Sequence, residues 1–195
     1  QSSTTEVLDT TNLGAGWSFR ASLPQVRRNA NSVLTPDGAI ITIGGNGAND
    51  FDSPRFEALR YDPAANTWTE LAPQAESRAY HSTALLLPDG RIVSAGDDGP
   101  AGGGGQSDEI EVFSPPYLFK GARPTITSAP TQVGFGAQFT VGSAETNVTS
   151  AVLVAPGATT HTNDMHQRLV PLVMSPVSGG YALTAPASAD IAPPG

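Results

Sequence analysis

The sequence predicts an all-β chain in which the last two blades of a kelch-type β-propeller are followed by an immunoglobulin-like β-sandwich. Three observations support this prediction. The chain holds 21 Gly and 17 Pro among 195 residues, its β-capable runs are short and bounded by turn signals, and its first part repeats after about fifty residues. Frequent Gly and Pro indicate many turns and little helix.

The repeat is marked by hairpin turns and tryptophans. Pro36-Asp37-Gly38 and Pro88-Asp89-Gly90 are matching turn signals between apolar runs. Trp17 and Trp68 each begin a segment that ends in proline. A repeat of this kind, without helical periodicity, is typical of four-stranded propeller blades.

The composition changes after the second copy of the repeat. The proline-rich stretch Ser114–Pro124 reads as a linker, so we place the blades at 1–120 and the sandwich at 121–195. Short strands about ten residues apart are typical of an immunoglobulin-like sandwich. We expect them at residues 125–127, 133–141, 151–154, 168–174 and 181–184.

Both domains are expected to be incomplete. Blades are stabilised by neighbouring blades, so fewer than two of them do not close a propeller, and the sandwich lacks a closing strand. We therefore expect a truncated sandwich and, as the partner of these blades, the missing N-terminal propeller portion of the same protein.

Charge and composition exclude several functions. The net charge is -8 and no basic patch is present, which argues against binding nucleic acid. No run approaches the roughly 20 apolar residues of a membrane span. The chain has no cysteine, which excludes disulfides, thiol nucleophiles and Cys-based zinc sites within it. Residues 1–20 lack signal-peptide features, so the chain is either cytosolic or a mature exported protein.

Tyr80 and His81 stand at the entrance of the apolar run that leads to the second turn. Adjacent residues in a strand point to opposite faces. Both side chains could therefore reach one metal only if the backbone is irregular there or the site lies at the end of the strand. Ligation and simple packing both remain open from these residues alone.

The first copy of the repeat offers an internal comparison for this pair. Aligned on Arg28 and Arg78, it has Ala30 and Asn31 in the corresponding positions. The blade itself does not require a Tyr-His pair, which brings a functional interpretation closer in weight to a purely structural one and leaves both open.

The predicted sandwich contains one unusual loop between two strands, with the other two histidines, His161 and His166. Their spacing fits no familiar zinc pattern, and both could be solvated loop residues. Taken with Tyr80 and His81, His161 completes a set of two imidazoles and a phenol, which favours Cu(II) over zinc or calcium. In another loop, Phe51 stands among polar residues and could cover a pocket or simply pack.

Three separated segments together resemble the C-terminal part of the galactose oxidase and glyoxal oxidase family of copper radical oxidases. They are Tyr80–Gly90, then Ser114–Leu118 with Ala122–Pro124, then Thr160–Thr162 with Gln167 and Arg168. The resemblance implies a seven-bladed propeller followed by an immunoglobulin-like (E-set) domain, one loop of which reaches the propeller axis.

The resemblance also implies roles for individual residues. His81 and His161 would be equatorial copper ligands, and Tyr80 would be the axial ligand that accepts the substrate proton. Phe51 falls near a pocket phenylalanine of the family and would contact substrate. His166 matches no ligand and is expected to be structural.

The implied reaction is oxidation of a primary alcohol or an aldehyde, with reduction of dioxygen to hydrogen peroxide. The substrate would be a small molecule or a carbohydrate, the cofactor a copper ion (Cu2+), and the location secreted or at the cell surface. Because the chain has no cysteine, the Tyr-Cys radical cofactor of the family is expected upstream. The alternative is a non-catalytic propeller and sandwich that bind glycans or a protein partner.

Overall fold

The computed structural model describes residues 2–47, 53–97 and 107–194. Within these residues the regular structure is almost entirely β, which confirms the predicted fold class. The only helical pieces described are short 3-10 turns at Leu13–Ala15 and Pro116–Phe119. The strands are β1 Thr5–Leu8, β2 Trp17–Arg20, β3 Asn31–Leu34, β4 Ile40–Ile43, β5 Glu57–Asp62, β6 Thr67–Pro73, β7 Thr83–Leu86, β8 Ile92–Ala95, β9 Ile110–Phe113, β10 Gln138–Gly142, β11 Ala151–Ala155, β12 Thr159–Thr160, β13 Asn163–Asp164, β14 Arg168–Val177 and β15 Gly180–Thr184.

The chain divides into two compact units. The first contains the residues up to Pro115 together with Pro156–Gln167, and the second contains Pro116–Ala155 together with the residues from Arg168 onward. This division differs from the expected one near residue 120, because Pro156–Gln167 leave the second unit and pack with the first. The blade and sandwich boundaries at 1–120 and 121–195 remain a prediction.

Two antiparallel sheets dominate the first unit. Strands β3, β4, β5 and β6 form one sheet in sequence order, and β7, β8 and β9 form the other. In each sheet, the predicted Pro-Asp-Gly turn joins the first strand to the second. The backbone N–H of Gly38 donates to Thr35 O, and that of Gly90 donates to Leu87 O. Both glycines have positive φ, 81° and 83°, which glycine adopts without steric cost. The two consecutive sheets are consistent with part of a propeller.

The core of the first unit lies between these sheets. Six buried side chains pack together, drawn from the first three strands of one sheet and the first two of the other: Val33, Ile41, Ile43, Ala58, Ala84 and Ile92. β-branched residues suit this position because their side chains pack well on a pleated surface. The core therefore fixes β3 beside β7, the two strands against which the β12-β13 hairpin packs.

The second unit contains one four-stranded antiparallel arrangement with the order β10-β15-β14-β11. The long strand β14 pairs with β11 through residues 168–172 and with β15 through residues 173–177. Tyr181 is buried. Its hydroxyl donates to Glu145 O and accepts from the backbone N–H of Val148, which ties the loop before β11 to β15.

Two predicted strands of this unit need correction. Residues 125–127 are not a strand, although the N–H of Thr127 donates to Gly142 O. The expected strand at 133–141 begins only at Gln138, because Gly134 and Gly136 lie in a turn closed by Ala137 N–H donating to Gly134 O. In the described part of the chain, no helix has the length and apolar character that a membrane crossing needs.

Candidate metal centre

Tyr80 and His81 occupy the middle of a β-turn and not a strand. The N–H of Ser82 donates to Ala79 O at 3.1 Å, and the Ser82 hydroxyl donates to the same oxygen at 2.7 Å. His81 has a φ of 64°, in the left-handed region that disfavours a side chain. The turn brings the adjacent side chains to one side, with ring centroids 3.8 Å apart and planes 29° from parallel. The backbone irregularity that a shared metal would require is therefore present.

His161 lies in a second strained turn. Strands β12 and β13 pair as Thr159 with Asp164 and Thr160 with Asn163, so His161 and Thr162 form a two-residue hairpin loop. Both have positive φ, 50° and 68°. Hairpins with this backbone usually carry Asn-Gly or a similar pair, and a β-branched residue at positive φ is an outlier. Such strain persists where the surrounding structure imposes it, and it concentrates at functional sites.

The two turns bring three rings together. The ring centroids of His81 and His161 are 5.0 Å apart and nearly perpendicular, at 88°. The rings of Tyr80 and His161 are 5.9 Å apart at 67°. All three residues belong to the first unit. Two imidazoles and a phenol from distant parts of the sequence thus form one cluster.

One nitrogen of His161 is already engaged. Its Nδ1 lies 2.8 Å from the hydroxyl oxygen of Thr160. If Nε2 binds a metal, the neutral ring carries its proton on Nδ1 and donates it to this hydroxyl. A hydrogen bond of this kind fixes the tautomer and the ring orientation of metal-binding histidines. If His161 is a metal ligand, this contact leaves Nε2 as the nitrogen available to the metal.

Hydrogen bonds hold both turns in place. The amide Nδ2 of Asn31, on β3, donates to the Ser82 hydroxyl at 2.9 Å. On the hairpin, the Thr159 hydroxyl donates to Ala84 O of β7 at 3.0 Å. Asp164 closes the hairpin internally, since its carboxylate accepts from the N–H of Ala158 at 2.8 Å. The Tyr80-His81 turn is thus fastened to β3 and the hairpin to β7, each the first strand of its sheet.

The structure corrects the alignment of the two repeats. Arg27, and not Arg28, matches Arg78. One guanidinium bonds Gly44 O and Glu57 O, and the other bonds Gly96 O and Glu109 O. The residue with the left-handed backbone also lies at a different position from the one that the earlier alignment pairs with His81.

Asn29, with φ of 60°, has the left-handed backbone that His81 has in the next copy. Ala30 and Asn31 are therefore not the residues that face the Tyr-His pair. Asparagine adopts this conformation readily, whereas His81 does so at a cost. The comparison between the repeats still shows that the blade does not require an imidazole here.

Two other residues were singled out from the sequence, Phe51 as a pocket residue and His166 as structural. Phe51 lies outside the described residues. His166 is exposed and makes none of the ring contacts of the other two histidines. In residues 2–47, 53–97 and 107–194, no group of three or more His, Cys, Asp or Glu side chains gathers as a metal site. The cluster of Tyr80, His81 and His161 contains only two side chains of these types, because its third member is a phenol. The assignment of Tyr80, His81 and His161 as ligands remains a prediction.

Sequence reasoning missed the residues that support the cluster. Asn31 and Thr159 gave no signal, because their partners, the Ser82 hydroxyl and Ala84 O, are distant in the sequence. Gln167 bonds the backbone of β3 through both ends of its amide. The Gln167-Arg168 pair in the resemblance was the one available pointer to it.

Comparison with known proteins places these observations in context. A family model described as galactose oxidase-like, Early set domain, matches residues 123–195. Galactose oxidase of Gibberella zeae is 33% identical over 181 residues, which cover 84% of this chain and 25% of that protein. Aldehyde oxidase GLOX of Vitis pseudoreticulata is 36% identical over 204 residues, which cover 89% of this chain and 38% of that protein. The chain thus spans well under half the length of these curated relatives.

A solved structure is similar over the whole chain. It is a fungal alcohol oxidase of the AA5 family in complex with copper, with a TM-score of 0.86 and 29% identity. The match covers 100% of this chain and 44% of that one.

Proposed function

Since residues 123–195 belong to the galactose oxidase-like Early set family, we propose that this chain is the C-terminal portion of a copper radical oxidase. The reaction would oxidise a primary alcohol or an aldehyde and reduce dioxygen to hydrogen peroxide. The organic substrate loses two electrons and two protons, and dioxygen gains both. The observation that carries the proposal is the cluster of Tyr80, His81 and His161 on two strained turns.

The residues of the cluster fit a copper ion. Imidazole nitrogen and oxygen donors without sulfur suit Cu(II), and the cluster offers two imidazoles and one phenol. The ring centroids lie within 3.8–5.9 Å of one another. The hydrogen bond that Nδ1–H of His161 would donate to the Thr160 hydroxyl matches the second contact that ligating histidines usually make. Tyr80, His81 and His161 would hold the ion.

When bound, copper supplies one-electron redox chemistry, and the protein contributes ligation, orientation and proton handling. Tyr80 would take the proton of the substrate hydroxyl on its phenol oxygen, the role that the resemblance implies. The stack of Tyr80 against His81 holds the phenol ring beside that imidazole. The second electron requires a Tyr-Cys cofactor outside this chain, which has no cysteine. Phe51 is proposed to line the substrate pocket.

Copper binding by the full-length protein tests the proposal. We expect one Cu2+ per chain at this site, and a loss of affinity of at least about tenfold in His81→Ala and in His161→Ala. His166→Ala is the matched control, because His166 is exposed in the same segment and should leave the affinity unchanged. Binding of equal affinity after both ligand histidines are replaced would refute the proposal.

Peroxide production separates the enzyme from the alternative. Tyr80→Phe removes the phenol oxygen and keeps both imidazoles, so we expect copper to remain bound while peroxide formation from alcohols or aldehydes falls. A wild-type protein that binds glycans or a protein partner, without copper and without peroxide, would instead support a non-catalytic propeller and sandwich. Secretion or display at the cell surface is part of the same proposal.

A further inference from the structure

A side chain forms hydrogen bonds with the edge of β3 that does not pair with β4. β3 is the first strand of its sheet and pairs with β4 on one side. At the other edge, the N–H of Leu34 donates to Oε1 of Gln167 at 2.6 Å. Nε2 of Gln167 donates to Ser32 O at 2.9 Å. Residues two apart on a strand face the same edge, so one planar amide makes the pair of bonds that a neighbouring strand would make.

The position of Gln167 gives these bonds a consequence. It is the last residue of the segment Pro156–Gln167, which carries His161 and packs with the first unit. At the other end of this segment, the Thr159 hydroxyl donates to Ala84 O of β7. β12 lies beside β7 and β13 lies beside β3. The hairpin is therefore fastened at one end to β7 and at the other to β3.

The hairpin needs this fastening. Its strands have two residues each, and its loop places two side chains at positive φ. A two-stranded hairpin is at best marginally stable by itself, and strained φ values persist only where the surroundings enforce them. A primary amide is the neutral side chain that offers a donor and an acceptor in one plane. Gln167 therefore suits both Leu34 N–H and Ser32 O.

We propose that Gln167 is a positioning residue that anchors the hairpin on β3 and thereby fixes His161 against His81. Both amide hydrogen bonds of Gln167 go to the backbone of β3, so it acts on His161 through the backbone of its own segment. The consequence for copper rests on the proposed function. The anchoring itself does not, which allows the two to fail separately.

The experiment compares three variants of the full-length protein. Gln167→Ala removes both bonds, and Gln167→Glu keeps an acceptor for Leu34 N–H but loses the donor to Ser32 O. Gln138→Ala is the matched control, since Gln138 is exposed on β10 in the second unit. Hydrogen exchange measured by mass spectrometry follows peptides that cover residues 31–36 and 157–166. Copper affinity and the EPR spectrum of bound Cu(II) follow the site.

We expect Gln167→Ala to speed exchange in both peptides by roughly tenfold or more and to weaken copper binding by about tenfold. The EPR spectrum should lose coupling to one of its two imidazole nitrogens, a change that general destabilisation does not produce. In Gln167→Glu, exchange at Leu34 should stay near the wild-type rate while exchange in the hairpin rises. Gln138→Ala should match wild type in every measurement.

Unchanged exchange in peptide 157–166 of Gln167→Ala would overturn the proposal, as would faster exchange with an unchanged EPR spectrum and copper affinity. If Gln167→Ala unfolds the protein, Gln167→Glu decides, and a hairpin as protected as in wild type would refute the anchoring. If the wild type binds no copper, the proposed function fails. Exchange in the hairpin then decides the anchoring by itself.

Discussion

The strain at His81 can be measured by comparing two variants that both remove the imidazole. His81→Gly and His81→Ala lose the same stack on Tyr80 and differ mainly in the backbone. At a φ of 64°, a residue with a Cβ carries a cost of about 1–2 kcal/mol that glycine avoids. Glycine in turn loses more freedom on folding, which offsets about 0.4–1 kcal/mol. We therefore expect His81→Gly to be the more stable variant, by about 0.8 kcal/mol at the midpoints of these ranges and by about 1.6 kcal/mol at most.

Urea denaturation of the full-length protein without copper provides the assay, with a chelator present because a bound ion would stabilise the folded state. Asn29 supplies the control position, since its φ is 60° and it holds no proposed ligand. Asn29→Gly should likewise exceed Asn29→Ala in stability. In ordinary strand positions the order is reversed, because glycine weakens a strand relative to alanine. Equal or greater stability of His81→Ala would refute the strain at this turn.

Two further predictions concern the polar groups around the turns. Ser82→Ala leaves the amide of Asn31, which is 1% exposed, without its hydroxyl partner, so we expect a loss of about 1–3 kcal/mol in a denaturation experiment. Adding Asn31→Ala should recover part of that loss, and strict additivity of the two changes would contradict the bond. Asp37→Asn should destabilise the protein at neutral pH by about 1–2 kcal/mol and by much less in acid. Burial acts to raise the pKa of Asp37, but hydrogen bonds from Thr35, Arg60 and the Ala39 N–H outweigh it and hold that pKa below its usual value. Because the folded pKa lies below the unfolded value of about 3.9, the stabilisation is complete above that pH and is lost as the pH falls through the folded pKa. Asp89→Asn, in the matching and more exposed turn, is the control, and an Asp37→Asn difference that stays constant down to pH 3 would disprove the linkage.

Local chemistry predicted much of the first unit. The two Pro-Asp-Gly turns set the hairpins, because glycine accepts the positive φ that each turn requires. The apolar runs on either side supplied Ile41, Ala84 and Ile92 of the core. In the second unit, the expected strand at 125–127 is absent as a strand. The three β-capable residues there form a backbone hydrogen bond from Thr127 to Gly142 O but do not pair as a strand.

The candidate site was predictable only in part. Tyr80 and His81 stood out because they precede an apolar run, and the need for an irregular backbone followed from strand geometry. His161 could not be joined to them by spacing, and that link came from the resemblance. Gln167 and Leu34 are 133 positions apart, and no local pattern indicates such a bond. The alignment of the two repeats could not be settled from the sequence, because Arg27 and Arg28 are adjacent. Only the hydrogen bonds identify Arg27 as the equivalent of Arg78.

The position of His161 depends on contacts outside its own strained hairpin. The galactose oxidase-like Early set domain spans residues 123–195, which include His161, yet the segment that carries His161 belongs to the first unit. Two short strands with a loop at positive φ do not sustain themselves. Their conformation depends on bonds from Thr159 to β7 and from Gln167 to β3. The core that sets β3 beside β7 therefore also sets the separation of His161 from the Tyr80-His81 turn. A fragment limited to residues 123–195 would retain one imidazole of the three-ring cluster and lose both strands that orient it.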